Sequence, residues 1–442
     1  MTRRSSRAPS FIAVALLLLY AWLELSTLAI TSPTADESLH IMRGYIFVTR
    51  GDDRYRMRGP VLSNALTGLT LAVLEPPIYF PPSDDPIWEH VALGDDPDPY
   101  LFGPDVPTLR IFFLARLPII AVSWLLGALI YRWARERAGG WAAVGALTLY
   151  VFDPNLLAHS RLVTTDAIAA ATFLLGAYAI DKALRQPNWR TLIVAGMAFG
   201  LAMAAKFSAT ALLPAFAAVA FVGWWPQRAD QRAWRKYLAL GAGIAMVGGL
   251  TVWAIYGFKV AALRPGELPL PAPSYWGEWE VMTNYLKDPF PSYLFGQISA
   301  RGWWYYYPVT FLAKTPLPVL ILLTLSIVIT IRRRAWRADL PVFLAAAMYF
   351  GSLLTSPHDL GYRYLLPILP AAFVYSTNVF QAAAAKRWTR LVVIGLIGWQ
   401  IIGLVRIYPY YLTYFNEVIG GSDRGRYILS DSNLDWRQDL IG

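Results

Sequence analysis

The residues able to do chemistry in this chain are ionisable groups set at the edges of long apolar runs. Asp36-Glu37 directly follows the first run, and His40 stands one helical turn further on. Such a pair can charge the first turn of a helix, with Ser32 to Asp36 offering caps. The same pair held beside lipid headgroups can take the proton from an attacking hydroxyl. Asp166 ends the segment Arg161-Leu162-Val163-Thr164-Thr165-Asp166, after Phe152-Asp153-Pro154-Asn155 and His159. An ionisable group at the edge of an apolar run is costly unless it is paired or functional; pairing with Arg161 or capping are the plainer assignments. Lys206 divides two runs in Ala204-Ala205-Lys206-Phe207-Ser208. It calls for an anionic partner, either a lipid phosphate or Asp166 or Asp36, with snorkelling to the headgroups as the plainer alternative. Lys314 in Lys314-Thr315-Pro316, Arg301 shortly before it, and His358 and Arg363 in His358-Asp359-Leu360-Gly361-Tyr362-Arg363-Tyr364 add further cations. Guanidinium and ammonium groups suit a phosphate leaving group, the former through bidentate hydrogen bonds.

The elements that must position these groups are membrane spans. Of 442 residues, 56% are hydrophobic and 15% charged, far from a soluble composition. A span needs about 20 mostly apolar residues. Apolar runs occur at about 11–31, 110–131, 140–155, 163–181, 190–205, 207–225, 238–258, 308–331, 340–355, 364–382 and 390–407. The stretch 61–74 is too short to cross and is expected to lie as a helix in the interface. The first run follows Arg3, Arg4 and Arg7; it is too long for the apolar core of a signal peptide, and Ser32-Pro33-Thr34-Ala35-Asp36 is a poor cleavage site, so it is expected to remain as the first span.

Lys and Arg orient the spans. With Arg3, Arg4 and Arg7 inside, the inner connections hold Arg132, Arg135 and Arg137; Lys182, Arg185 and Arg190; Arg228, Arg232, Arg235 and Lys236; Arg332, Arg333, Arg334 and Arg337; and Lys386, Arg387 and Arg390. The alternation survives all the crossings. Long outer loops at about 32–109 and 259–307, short outer connections and a tail from about 408 then hold nearly all the acids and His40, His90, His159 and His358. Aromatic clusters such as Trp303-Trp304-Tyr305-Tyr306-Tyr307 suit anchoring at the outer headgroups. The net charge of +10 follows from the basic inner connections, and no nucleic-acid face is expected. The absence of cysteine excludes disulfides and thiolate metal sites. No Walker A loop, HExxH or GxSxG occurs, which argues against a nucleotide-driven pump or the common hydrolases. Asp84, Asp85, Asp95, Asp96 and Asp98 make an acidic loop without EF-hand spacing.

In order and side, these residues resemble a family. The acidic pair after the first span, the Asp before the fourth, the Lys between the fifth and sixth, and Arg363-Tyr364 before Leu365-Leu366-Pro367 are similar to the protein O-mannosyltransferase-like transferases (glycosyltransferase family 39). The runs Asp153-Pro154-Asn155, Tyr306-Tyr307-Pro308 with Lys314-Thr315-Pro316, and Asp431-Ser432-Asn433-Leu434-Asp435-Trp436 with Gln438-Asp439-Leu440 resemble its bacterial, phospholipid-carrier-dependent members. The resemblance implies an all-α polytopic membrane protein with the GT-C fold: about 11 transmembrane helices and interfacial helices in the first outer loop. It divides the chain into a catalytic module at 1–407 and an extracytoplasmic tail at 408–442, standing where many relatives continue into an outer domain. It implies transfer of a sugar from a polyprenyl-phosphate donor to a hydroxyl acceptor of protein, lipid or glycan, on the extracytoplasmic side of the plasma membrane and with inversion. Asp36 then matches the catalytic carboxylate with Glu37 beside it, and Asp166 an acid near the pocket. Lys206 and Arg363 match contacts to the lipid phosphate. Apart from the resemblance, the shared side makes Lys314, Arg301 and His358 further donor-binding candidates, and His40 and His159 candidates for the pocket. No cofactor is required, and whether a divalent ion assists stays open. A transporter or flippase of a lipid-linked sugar is the alternative; such proteins show paired repeats and binding groups near the midplane.

Overall fold

The computed structural model describes residues 7–28, 30–53, 55, 57–74, 78, 101–227, 233–334 and 336–436. The acidic loop with His90, the residues Arg3, Arg4, Arg228, Asp230 and Arg232, and the tail from 437 onwards lie outside them.

Each of the eleven apolar runs is helical, because inside a bilayer the backbone must satisfy its own polar groups. Among the described residues, seven helices are long and apolar enough to cross a membrane: Ala8–Leu28, Thr108–Ala138, Asp166–Arg185, Phe207–Gln227, Trp234–Ile255, Tyr362–Ala385 and Arg387–Ile407. Three shorter apolar helices, Gly140–Val151, Trp189–Ala205 and Asp339–Leu353, fill three of the remaining runs. The eighth run is not one rod. It forms Tyr306–Lys314 and Leu317–Arg333, bent by 112°. Pro316 brings no amide to the ladder and forces Thr315 into an extended conformation (φ −72°, ψ 132°).

After the first span, the helix Glu37–Arg50 packs on Leu62–Leu74, with Leu69, Val73 and Leu74 of the latter exposed, as befits a helix lying in the interface. Gly44 and Gly68 set the crossing. A Cβ on Gly44 would fall 1.9 Å from the Asn64 carbonyl oxygen, and one on Gly68 2.0 Å from that of Gly44. Two short antiparallel ribbons, Val260–Ala261 with Leu270–Pro271 and Ser292–Leu294 with Gln297–Ser299, decorate the second loop. Phe295 and Gly296 (φ 50° and 79°) turn the second ribbon, the sign of φ that a two-residue hairpin of the native twist demands.

The helix Asp166–Arg185 is the axis of the molecule: 83% of its apolar window is buried, against 17% for Trp234–Ile255 and 22% for Arg387–Ile407, which face lipid. At its C-terminal end the basic connections meet. Arg185 pairs with Asp181 (2.7 Å), Lys182 with Glu136 (2.9 Å), and Arg137 with Asp339, which also accepts from Thr330 and Asn378. At its N-terminal end, on the order of 30 Å away, stands Asp166. The expected inner cations and the expected site residues therefore occupy opposite ends of one helix.

The tail returns over that N-terminal end. Lys314 is buried, and its Nζ donates to the carbonyl oxygens of Leu412 (2.8 Å) and Asn433 (2.5 Å) beside the Phe415 ring.

Candidate active site

A cavity of about 410 Å³ opens at this end, with Asp36, His40, Asp166, Lys206 and Arg363 in its wall. Two ion pairs stand side by side in it. Asp36 precedes the helix Glu37–Arg50, and its Oδ2 accepts from Arg363 Nη1 at 3.0 Å. Arg363 belongs to the 3-10 turn Tyr362–Ile368, entered through Gly361 at φ +93°, a backbone region open mainly to glycine. Its guanidinium lies 4.4 Å from the Trp436 ring, and its Nε donates to the Leu360 carbonyl (3.3 Å). Asp166 opens the axial helix, and its Oδ1 accepts from Lys206 Nζ at 2.6 Å. Lys206 holds the extended link between Trp189–Ala205 and the turn Phe207–Ala211. The Tyr364 ring lies 4.0 Å from the Lys206 ammonium and 5.6 Å from the Arg363 guanidinium, so one ring serves both cations.

His40 also lines the cavity. Its Nδ1 accepts from Asn64 Nδ2 (2.8 Å), leaving the ring proton to Nε2. Burial outweighs the nearby Asp36 carboxylate and brings the imidazole down to about 4, so His40 is neutral near pH 7. The same helix face carries Arg43, which pairs with Glu278 and donates to the Gly59 carbonyl (2.7 Å).

The other expected residues stand apart. Glu37 is fully buried and turned away from the cavity. Its two oxygens accept from Arg116 (2.8 and 2.6 Å), the Val163 amide (2.9 Å) and the Thr34 amide (2.8 Å). Burial alone would push its carboxyl up, but Arg116 and these bonds hold it below its usual range. A carboxylate so saturated orients the loop that carries Asp36. Lys314 is spent on the tail's carbonyls. Arg301 is exposed, and neither it nor Lys314 lines the cavity. His358 sits behind the wall: its Nε2 meets the Asp288 carbonyl (2.9 Å), and its ring packs on Tyr285 and Phe290, which do line it. His159 packs edge-on against Trp436 (6.1 Å). Arg161 does not pair with Asp166; it lies over the Tyr411 ring (5.5 Å).

Two wall residues have no role assigned from the sequence. Arg58 lies 3.7 Å over the Tyr285 ring, and Asp431, singled out only as part of a run that carries the resemblance, approaches from the tail. Arg43 was findable, since Asp36, His40 and Arg43 fall at helical spacing. Among the described residues, no group of three or more His, Cys, Asp or Glu is placed to hold a metal ion.

Two cations, each matched by a carboxylate and backed by an aromatic ring, thus line one cavity at the end of a polytopic bundle. That bundle has the GT-C fold. Over 92% of this chain and 73% of the other, it superposes on ArnT from Cupriavidus metallidurans bound to undecaprenyl phosphate (TM-score 0.55, 13% identity). It likewise matches the oligosaccharyltransferase AglB of Archaeoglobus fulgidus in complex with an inhibitory peptide and a dolichol-phosphate (TM-score 0.51, 12% identity, 89% of this chain and 55% of that one). Residues 111–255 match the model of the dolichyl-phosphate-mannose-protein mannosyltransferase family, so the resemblance drawn from Asp166 and Lys206 is borne out over the stretch that contains both. A search of curated protein sequences finds no match.

Proposed function

We propose that this chain is a glycosyltransferase that moves a sugar from a polyprenyl-phosphate carrier to a hydroxyl acceptor on the extracytoplasmic side of the membrane. The observation that carries this is the paired placement of Asp36–Arg363 and Asp166–Lys206 in one cavity at the end of a GT-C bundle. The ArnT structure holds undecaprenyl phosphate and the AglB structure a dolichol-phosphate, which supports a lipid phosphate as the occupant here. The distribution of Lys and Arg supports an outward-facing cavity.

In the proposed reaction the donor phosphate settles between Lys206 and Arg363 and competes with Asp36 for the guanidinium. Asp36, whose side chain is about 36% exposed, is thereby released to take the proton of the acceptor hydroxyl. The acceptor oxygen attacks the anomeric carbon from the face opposite the phosphate. The new C–O bond forms as the bond to the phosphate oxygen breaks, and the carrier leaves as polyprenyl phosphate with both bonding electrons. Lys206 and Arg363 stabilise the charge growing on that oxygen, the kind of preorganised electrostatics worth roughly 10²–10³ in rate per donor. Neutral His40 and the Asn64 amide hold the wall without adding charge. Glu37 and Arg116 act at one remove, by fixing the loop that carries Asp36.

The charged groups gather at one end of the bundle rather than near its middle, which favours an enzyme over a transporter. The test is to incubate purified protein with undecaprenyl-phosphate sugars labelled in the sugar. Label must leave the lipid in detergent solution, where no transmembrane movement can be measured; label that stays lipid-linked while crossing liposomes with reconstituted protein would establish transport instead.

A further inference from the structure

Asp431 takes no part in either ion pair, yet it lines the same cavity. Its backbone sits in the left-handed region at φ +57°, a conformation that non-glycine residues adopt uncommonly and that persists when the surroundings impose it. The surroundings are specific. Asn433 Oδ1 accepts from the Tyr362 amide (2.9 Å), and its Nδ2 donates to the Ser430 carbonyl (2.9 Å) and the Tyr306 hydroxyl (3.2 Å). Lys314 Nζ holds the Asn433 carbonyl from below (2.5 Å). Ser432 Oγ donates to the Leu360 carbonyl (3.2 Å) and sits where a Cβ on Gly361 would approach to 2.9 Å. Further along, the Trp436 carbonyl accepts from the Ala35 amide (3.2 Å), next to Asp36. The segment 430–436 is thus clamped between the 360–364 turn and the Asp36 loop. Among the described residues, none donates a hydrogen bond or an ion pair to the Asp431 carboxylate, and the residue is exposed at the cavity wall.

We propose that Asp431 is a sugar-reading residue: its carboxylate accepts hydrogen bonds from hydroxyl groups of the donor's sugar ring. This rests on the transferase reading above. A carboxylate is an acceptor only and can receive two donors at once, which fits neighbouring ring hydroxyls. It repels the phosphate, so it serves the neutral part of the donor, while Lys206 and Arg363 serve the charged part. The strained backbone is then the cost of aiming a rigidly clamped acceptor into the cavity.

The test is equilibrium binding to the purified full chain, with undecaprenyl phosphate alone and with undecaprenyl-phosphate mannose, glucose and arabinose as probes. Wild type should bind at least one sugar-linked carrier more tightly than the bare carrier. Asp431→Gly keeps the left-handed backbone and removes the carboxylate; it should weaken that preferred probe by about tenfold or more while changing bare carrier by less than about twofold. Asp431→Asn should fall between. Equal loss for both probes would make 430–436 a structural clamp only, and wild-type affinity for both would remove the role altogether; either overturns the assignment. Wild type that binds no carrier at all would overturn the transferase reading as well, an outcome visible before any variant is made.

Discussion

Arg363 faces two ways: its Nη1 reaches Asp36 at 3.0 Å, and its guanidinium lies against Trp436 at 4.4 Å. Trp436 belongs to the tail, so the electrostatic centre of the cavity is assembled from the loop after the first span, the 360–364 turn and the last described residues together. The 360–364 turn packs on the helix Asp166–Arg185, and the tail packs on that turn and on the Ala35 amide.

Replacing either phosphate-side cation should weaken carrier binding and slow transfer. Arg363→Lys keeps the charge and loses the planar contact with Trp436 and the fork that a phosphate can use. It should lower kcat by about tenfold or more, and Lys206→Met by roughly 10²–10³. Steady-state kinetics with saturating carrier-linked sugar checks both. Because Lys206 and Asp166 are a buried pair, removing one partner strands the other. The double variant Lys206→Met with Asp166→Asn should therefore be closer to wild type in melting temperature than Lys206→Met alone.

Glu37 and Arg116 should behave as a structural pair. Both are buried and doubly bonded, and breaking such a pair costs about 3–5 kcal/mol. Glu37→Gln is expected to lower the melting temperature markedly, with transfer falling in proportion to the folded fraction. Full stability with abolished transfer would instead put Glu37 in the chemistry.

Much of this was legible in the sequence. The eleven apolar runs are helices because a bilayer leaves a hydrophobic backbone no other way to satisfy its amides, and Asp36, Asp166, Lys206 and Arg363 stood out because an ionisable group at the edge of such a run is costly. The bend at Pro316 was written in the Thr315-Pro316 step but hidden inside a continuous apolar stretch. What could not be read was how individual groups are used. Glu37 and Asp36 are adjacent, yet helical geometry sends one to Arg116 and the other to the cavity. Lys314 looked like a phosphate ligand, but its partners are backbone carbonyls that no residue type reveals. Arg58 and Asp431 sit on irregular segments, where spacing carries no direction.

Two buried imidazoles should make stability pH-dependent. Burial lowers His40 to about 4 and His159 to about 3, against about 6.5 in an unfolded chain. Below pH 6.5 the unfolded chain takes up protons that the folded one refuses, so stability is full above that pH and is lost as pH falls toward 4 and below. Each group contributes on the order of a few kcal/mol over that window. Thermal melts of detergent-solubilised protein between pH 6.5 and 4 should therefore shift less toward instability in His159→Asn than in wild type. The same profile in both proteins would mean that the His159 ring is hydrated.

Sidedness is open to direct labelling, since the chain has no cysteine. Arg301→Cys, in the second long loop, and Trp388→Cys, in an expected inner connection, are both at exposed positions. A membrane-impermeant maleimide applied to intact cells should label the first and leave the second until the membrane is opened. The reverse pattern would turn the cavity to the cytosol.

The most direct measurement separates holding the donor from using it. Asp36→Asn preserves shape and removes the basic oxygen that would take the acceptor's proton. In a single-turnover assay with labelled undecaprenyl-phosphate sugar bound to purified protein, Asp36→Asn should bind the donor within a few-fold of wild type yet move sugar at least about 10³ times more slowly, a loss at the strong end of what one proton-transfer group supplies. Transfer at the wild-type rate by the variant would contradict the assignment of Asp36, and with it the chemistry proposed for this cavity.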